Sequence, residues 1–235
     1  MNSVLIKLSG ECLFGKGVSA ADNANYQHIQ SIVDQIKVLK QSCKIGIVIG
    51  GGNFFRASRQ GVALGIRQPV ADFVGMLATV MNGLLLQDFF ARSGVVAEVL
   101  GAFEISGVVQ NISNQRIEAA QVDGKIIIFV GGTGNPFFTT DTCAVLRALQ
   151  IGAKLVWKAT NVDGVYDFDP NKNLNAKILK RLSYSQFMAQ DLKVMDLTSI
   201  SLAQKYGVKI KVFNVFTKNA LFNAANDVNF GSSIE

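Results

Sequence analysis

The feature that most constrains this chain lies at residues 125–151. An apolar run, Ile126-Ile127-Ile128-Phe129-Val130, leads into Gly131-Gly132-Thr133-Gly134-Asn135-Pro136-Phe137-Phe138-Thr139-Thr140-Asp141, and a helical pattern follows. An unbroken apolar run bounded by glycines fits a strand buried on both faces, and Val145, Leu146, Leu149 and Ile151 recur near helical spacing. The stretch therefore predicts strand, polar loop and helix, with Asp141 where a helix N-cap would sit. Hydroxyls, an amide, glycine-freed N–H groups and a helix N-terminus then converge at the C-terminal end of a parallel strand. Open α/β sheets bind ligands there, and this chemistry suits an anionic or richly hydrogen-bonding ligand.

The same grammar recurs elsewhere. Residues 4–8 read as a short strand interrupted by Lys7 and ending in Ser9-Gly10-Glu11. On an edge strand Lys7 would snorkel to water; beside Ser9-Gly10, where a phosphate can approach the backbone, it is equally a phosphate-binding lysine. Residues 44–49 form a second strand that runs into Gly50-Gly51-Gly52-Asn53 and then Phe54-Phe55-Arg56. Consecutive glycines lose much conformational entropy on ordering, so they point to close approach of a phosphate, with Arg56 as a nearby cation. Neither glycine cluster fits a Rossmann fingerprint or a Walker loop. Residues 154–158 give another buried-type strand, with Lys158 at its end repeating the Lys7 arrangement, and residues 160–170 follow as a loop in which an aromatic and several carboxylates could hold a base and ribose. That loop lacks the spacing of a calcium-binding hand.

Between these segments the periodicity predicts helices over 22–41, from Pro69 to 91, from 114 in an otherwise irregular 101–123, over 183–190 behind a Ser183 cap, from Asp196 to Gly207, and over 219–225. Residues 12–20 and 57–68 read as loop and surface excursion. Strands are predicted at 95–100, 178–182 (an edge), 209–214 and 231–234. Asp72, in the first turn of the long helix, is balanced between favouring the helix dipole and bonding ligand hydroxyls. Alternating strands and helices imply an α/β fold with a parallel, doubly wound sheet, and 235 residues without a Pro/Ser-rich linker imply a single domain over 1–235.

Composition excludes several functions. The three cysteines, Cys12, Cys43 and Cys143, are far apart and lack metal or disulfide spacing, which favours a reducing, cytoplasmic setting. A lone histidine, His28, in a helical polar region leaves a Ser-His-Asp or Cys-His mechanism without a base. No signal-type segment opens the chain, and its apolar stretches are strand-sized or interrupted by polar residues, so no membrane partner is expected. The net charge of +6 comes from scattered lysines and arginines without interleaved aromatics, so it attracts phosphorylated metabolites more readily than nucleic acid.

With these blocks in view, the chain resembles the bacterial uridylate kinases of the amino-acid-kinase superfamily over nearly its whole length. The resemblance is carried by Lys7-Leu8-Ser9-Gly10-Glu11, Val48-Ile49-Gly50-Gly51-Gly52-Asn53, residues 75–83, residues 133–141, Lys158-Ala159-Thr160 with Val162-Asp163-Gly164-Val165, and Lys193-Val194-Met195-Asp196-Leu197. It implies a three-layer αβα sandwich with a mostly parallel central sheet, the UMP side roughly N-terminal and the ATP side roughly C-terminal, catalysing ATP + UMP to ADP + UDP with Mg2+. Carried over by position, the catalytic residues would be Lys7, Asp141, Lys158 and Asp196. ATP would be held by Lys7, Leu8, Ser9, Gly10, Gly52, Arg56, Thr160, Tyr166 and Asp169. UMP would be held by Gly51, Asp72, Thr133, Gly134, Asn135, Pro136, Phe137, Phe138, Thr139 and Thr140. No residue is assigned to the metal. A homohexamer is implied, with the apolar helix around 70–86 as a subunit face or simply as core. GTP activation and UTP inhibition stay open, because residues 13–20 and 101–121 match the family poorly. The alternatives are a kinase of the same fold acting on a carboxylate or carbamate, and a non-catalytic UMP or UTP sensor; Lys7, Lys158 and Asp141 together speak against the sensor.

Overall fold

The computed structural model describes residues 2–14, 23–168, 170, 172–173 and 175–235. The strands are β1 (Asn2–Leu8), β2 (Cys43–Ile49), β3 (Ala97–Gly101), β4 (Gln110–Asn111), β5 (Ile126–Val130), β6 (Leu155–Thr160), β7 (Val165–Tyr166), β8 (Ile178–Leu179), β9 (Arg181–Leu182), β10 (Lys209–Asn214) and β11 (Ser232–Ile234). The helices are α1 (Gly10–Phe14), α2 (Asn23–Leu39), α3 (Gln68–Arg92), α4 (Asn114–Val122), α5 (Thr140–Gln150), α6 (Tyr184–Ala189), α7 (Leu197–Tyr206) and α8 (Ala220–Asn226). The main sheet runs β4-β3-β5-β2-β1-β6-β10-β11-β9, parallel except where β11 turns back along β10.

Alternation along each strand splits the core between the two faces of the sheet. Val4, Ile6 and Leu8 pack with residues of α2, α3 and α8, among them Ile32, Phe90 and Leu221. Leu5, Val48 and Phe129 pack on the opposite side with Val145 of α5, Ile117 of α4 and Ile200 of α7. The result is the expected three-layer αβα sandwich. The chain builds leftward from β1 through β2 and then places β6 on β1's other edge, so the strand order reverses at β1. The C-terminal ends of β1, β2 and β6 meet at this reversal, which is where such sheets open a ligand crevice.

Several boundaries differ from the sequence reading, each for a local reason. The expected loop at 12–20 begins with the helical turn α1, capped by Ser9 Oγ, which accepts the Cys12 N–H at 3.1 Å; the remainder of that loop lies outside the described residues. Residues Ala57–Gly61 of the expected excursion form a π-helical turn. The edge strand expected at 178–182 divides: β8 pairs antiparallel with β7 in a small second sheet, and β9 joins the main sheet beside β11. Asp141 is not the N-cap of α5. Thr139 takes that role, its Oγ1 accepting from the N–H groups of Asp141 and Thr142. Asp72 lies beyond the first turn of α3, because the helix starts at Gln68 with Pro69 in its opening positions. Ser183 forms the full capping box with Gln186.

By length and composition α3 could cross a membrane, yet it is packed into the sandwich along one side. Met76, Thr79, Asn82, Gly83, Leu86 and Phe90 are buried on that side, whereas Val70, Phe73, Val74, Leu77, Met81 and Leu85 stand exposed on the other.

Candidate active site

Lys7 and Lys158 are register partners on β1 and β6, so their side chains leave the sheet on the same face and near the same level. β1 is central, which removes the snorkelling option: Lys7 is 8% exposed and Lys158 7%. The partner that burial demands is Asp141, one residue into α5, whose carboxylate receives Lys7 Nζ at 3.1 Å on Oδ1 and Lys158 Nζ at 2.5 Å on Oδ2. Among the described residues Oδ1 has no partner besides Lys7. Lys158 also donates to the Val194 carbonyl.

One carboxylate between two ammonium groups leaves a surplus positive charge in a nearly dry place. Burial pushes the Lys158 ammonium down to about 8, the like charge of Lys7 adds to the effect, and Asp141 and Asp196 oppose it. Burial would raise the Asp141 carboxyl, but Lys7 and Lys158 outweigh it and hold the group below the ordinary carboxylate range. The two shifts run downward for different reasons: burial, reinforced by the Lys7 charge, lowers Lys158, whereas the two neighbouring cations lower Asp141. An incoming phosphate group would supply the missing negative charge.

Two cavities flank this cluster. The first, of 300 Å³, is lined by Lys7, Ser9, Gly10, Gly51, Gly52 and Arg56 together with Asp72, Asn135, Phe138, Thr139 and Thr140. The second, of 410 Å³, is lined by Tyr166, Phe168, Pro170, Lys193 and Val194, and so reaches the cluster through the same Val194 that accepts from Lys158. Much of the set expected around ATP thus shares the first cavity with the set expected around UMP, and among the described residues only Tyr166 of it reaches the second. Leu8 is fully buried in the core, and its carbonyl accepts the Gly50 N–H at 2.9 Å. Thr160 ends β6 and lines neither cavity. Asp169 lies outside the described residues.

The loop at 131–140 is held from several sides. Its glycines Gly131, Gly132 and Gly134 have positive φ, as does Phe137 at 70°. Asp72 secures that strained residue: its Oδ2 accepts the Phe137 N–H at 2.9 Å, and its Oδ1 accepts from Gln68. Asp72 is therefore a tether of this loop as well as part of the cavity wall. Thr133 bonds Asn135 within the loop and lines a separate apolar groove with Phe138, Leu146 and Leu202. Gly134, Pro136 and Phe137 line neither flanking cavity. Asp196 caps α7 through the Ser199 N–H and accepts the hydroxyls of Thr139 at 2.6 Å and Thr142 at 2.9 Å, so it locks the start of α5, and with it Asp141, to α7. Arg56 folds over Gly52 and forks onto Glu11, with Nε to Oε1 at 2.9 Å and Nη2 to Oε2 at 2.6 Å.

Sequence reasoning missed three parts of this arrangement. Glu11 stood in a quoted motif without a role, Phe168 and Val194 were not assigned to any ligand, and Thr79 and Asn82 stood in the quoted block 75–83 without a role of their own. A polar pair spaced i, i+3 on the side of α3 that buries Met76 and Leu86 was the available signal for the last.

The arrangement brings cations and glycine turns to one point between two cavities, which is what transfer of a phosphoryl group between two bound phosphates requires. Comparison with known proteins agrees. A uridylate kinase from Thermotoga petrophila is 45% identical over 98% of each chain. One from Haemophilus influenzae is 40% identical over 98% of this chain and 96% of its own. The crystal structure of UMP kinase from Ureaplasma parvum superposes with a TM-score of 0.92 at 33% identity, covering 100% of this chain and 98% of its own. Residues 2–214 match the Amino acid kinase family, and with relatives this similar along its full length the chain belongs to that family, among its uridylate kinases.

Proposed function

We propose that this chain is an enzyme, a uridylate kinase that transfers the γ-phosphoryl group of ATP to UMP, giving ADP and UDP for pyrimidine nucleotide synthesis. The observation that carries the reading is the Lys7–Asp141–Lys158 cluster, with Lys7 in the wall of the first cavity and Lys158 bonded to the carbonyl of Val194 in the wall of the second. UMP belongs in the first cavity, its phosphate at the Gly51-Gly52 turn near Lys7 and its nucleoside toward Asp72 and the loop at 133–140. The adenosine of ATP belongs in the second, beside Tyr166 and Phe168. The whole chain works as one unit in this reading, with strand-end lysines stabilising charge on the moving phosphoryl group and glycine turns aligning donor and acceptor. The test is a coupled ADP-release assay with Mg-ATP and a panel of UMP, CMP, AMP, acetylglutamate and carbamate. Turnover confined to UMP is the expected result, and turnover with a carboxylate or carbamate instead would overturn the acceptor assignment.

Magnesium fits as an ion carried on the ATP phosphates. Such an ion keeps several waters and takes one or two carboxylates from protein. Asp141 is already shared by Lys7 and Lys158, so the phosphates themselves would supply most of the ion's oxygen ligands. When bound, the ion neutralises phosphate charge; the residues of this chain hold and align the two nucleotides. A cytoplasmic setting accords with three free cysteines.

The depressed Lys158 value gives a pH dependence. The protonated lysine is the form that stabilises phosphate charge, so kcat/KM, which reports the free enzyme, should fall as pH rises through about 8. Bound phosphates raise the lysine's affinity for its proton, so the corresponding fall in kcat should come at higher pH. A pH–rate series checks both, and a kcat/KM profile flat across that region would remove Lys158 from the mechanism.

The exposed stripe of α3 is proposed as a face between copies of this chain in a homohexamer. Val70, Phe73, Val74, Leu77, Met81 and Leu85 recur at helical spacing and form the kind of contiguous apolar patch that marks an association surface. Leu77→Lys is expected to yield a smaller species than wild type by light scattering coupled to gel filtration. A wild-type protein that is already monomeric would dismiss this face.

A further inference from the structure

We infer that Asn82, acting with Asn53, is a positioning residue that sets the spacing between the turn after β1 and the turn after β2, and through it the alignment of the two phosphates. Asn82 is fully buried in the middle of α3, and Asn53, 7% exposed, ends the glycine run after β2. Asn82 Nδ2 donates to the Gly50 carbonyl at 2.7 Å and to Asn53 Oδ1 at 2.7 Å, while Asn53 Nδ2 donates to Asn82 Oδ1 at 3.0 Å. The Gly50 carbonyl accepts only from a donor, which fixes the Asn82 amide orientation and hence that of its partner.

The turn after β1 rests directly on this pair. A Cβ at Gly10 would fall 2.1 Å from Asn53 Oδ1, 2.5 Å from Asn82 Nδ2 and 2.6 Å from the Gly50 carbonyl. The turn after β2 rests on the same helix, since a Cβ at Gly51 would lie 2.6 Å from the Gly75 carbonyl and 2.9 Å from the Thr79 nitrogen. One turn earlier on α3, Thr79 Oγ1 accepts the Gly131 N–H at 2.7 Å and so gathers the turn after β5 as well. A pair of apolar side chains would fill a helix–turn contact without the desolvation cost of two amides. What the amides add is direction and distance, because each bond fixes a named atom of one turn relative to another.

Neither asparagine lines either flanking cavity, so the effect passes through the backbone of Gly50, Gly51 and Gly10. The inference rests on the proposed UMP kinase reaction, and misplacement by about 1 Å at such a site costs on the order of 10²-fold in rate. In Asn82→Ala, kcat is expected to fall by about 10²-fold with KM for UMP and ATP within a few-fold of wild type. Asn53→Ala, which leaves the bond from Asn82 to Gly50 in place, should lose less. UMP binding by calorimetry at wild-type stoichiometry separates misalignment from a reduced folded fraction. Should Asn82→Ala not fold, the nearly isosteric Asn82→Leu, which fills the space but has no donor, is expected to give the same loss of kcat.

A folded Asn82 variant with wild-type kcat would overturn the inference, as would a rise in KM with kcat unchanged. Failure of both Asn82 variants to fold would assign the pair to stability alone and overturn it too. Wild-type enzyme inactive on UMP would instead bring down the functional reading on which the inference stands.

Discussion

Replacing Lys158 with methionine is expected to lower kcat by roughly 10²–10³-fold, the scale of removing one preorganised donor from a developing charge. Methionine fills the space of the aliphatic stem, and Asp141 keeps Lys7 as its ion-pair partner, so the fold should persist. The KM values should stay within a few-fold, because the lost contact strengthens as the phosphoryl group moves rather than in the ground state. Lys7→Ala is expected to cost about 100-fold or more on the same argument. The two losses should not add, since both lysines act on one group. Steady-state kinetics on the single and double variants checks this, and wild-type turnover in either single variant would remove that lysine from the chemistry.

Asp141→Asn is the substitution with the largest expected effect on stability. It leaves two buried ammonium groups without their counter-charge, and removing one partner of such a cluster costs about 3–5 kcal/mol. The sign with pH follows from the direction of the shifts. The folded Asp141 carboxyl lies below its unfolded value, so its contribution is fully present above the unfolded value and is lost as pH falls through the folded one. In the variant Lys158, without the anion that opposes the effect of its burial, gives up its proton at lower pH, so the deficit relative to wild type should shrink as pH rises. Denaturant unfolding of both proteins at several pH values measures this, and equal stability at neutral pH would show that Asp141 does not compensate the lysines.

Much of this was legible locally. Unbroken apolar runs gave the strands, consecutive glycines gave the turns, and a lysine in an otherwise apolar strand marked both Lys7 and Lys158 as residues in need of a partner. What remained hidden depends on register and on distant packing. Nothing near Lys7 in the chain states that it lies beside Lys158; that follows from the parallel pairing of β1 with β6. Asp141 was recognised while its place was misread, because Thr139 and Thr140 offer equally good caps and the choice is settled by the hydroxyl bond from Thr139 to Asp196. Asp72 was weighed between helix dipole and ligand, whereas its bond to the strained Phe137 arises from a segment far along the chain. The amides of Asn53 and Asn82 each look ordinary alone and acquire meaning only as a facing pair.

The central position of β1 has a consequence for how the protein is made. β1 precedes both of its neighbours in the chain, and β2, the nearer of them, can cover one of its edges soon after synthesis. Its other edge waits for β6, which follows β5 and α5 in the chain. During that interval a nascent chain carries an apolar strand with an open row of N–H and C=O groups, the template on which strands of other chains pair. Lys7, set in that strand, places a charge among its apolar neighbours until Asp141 and then Lys158 arrive to bury it. A charged side chain at this place in the strand works against such pairing for as long as β6 is missing.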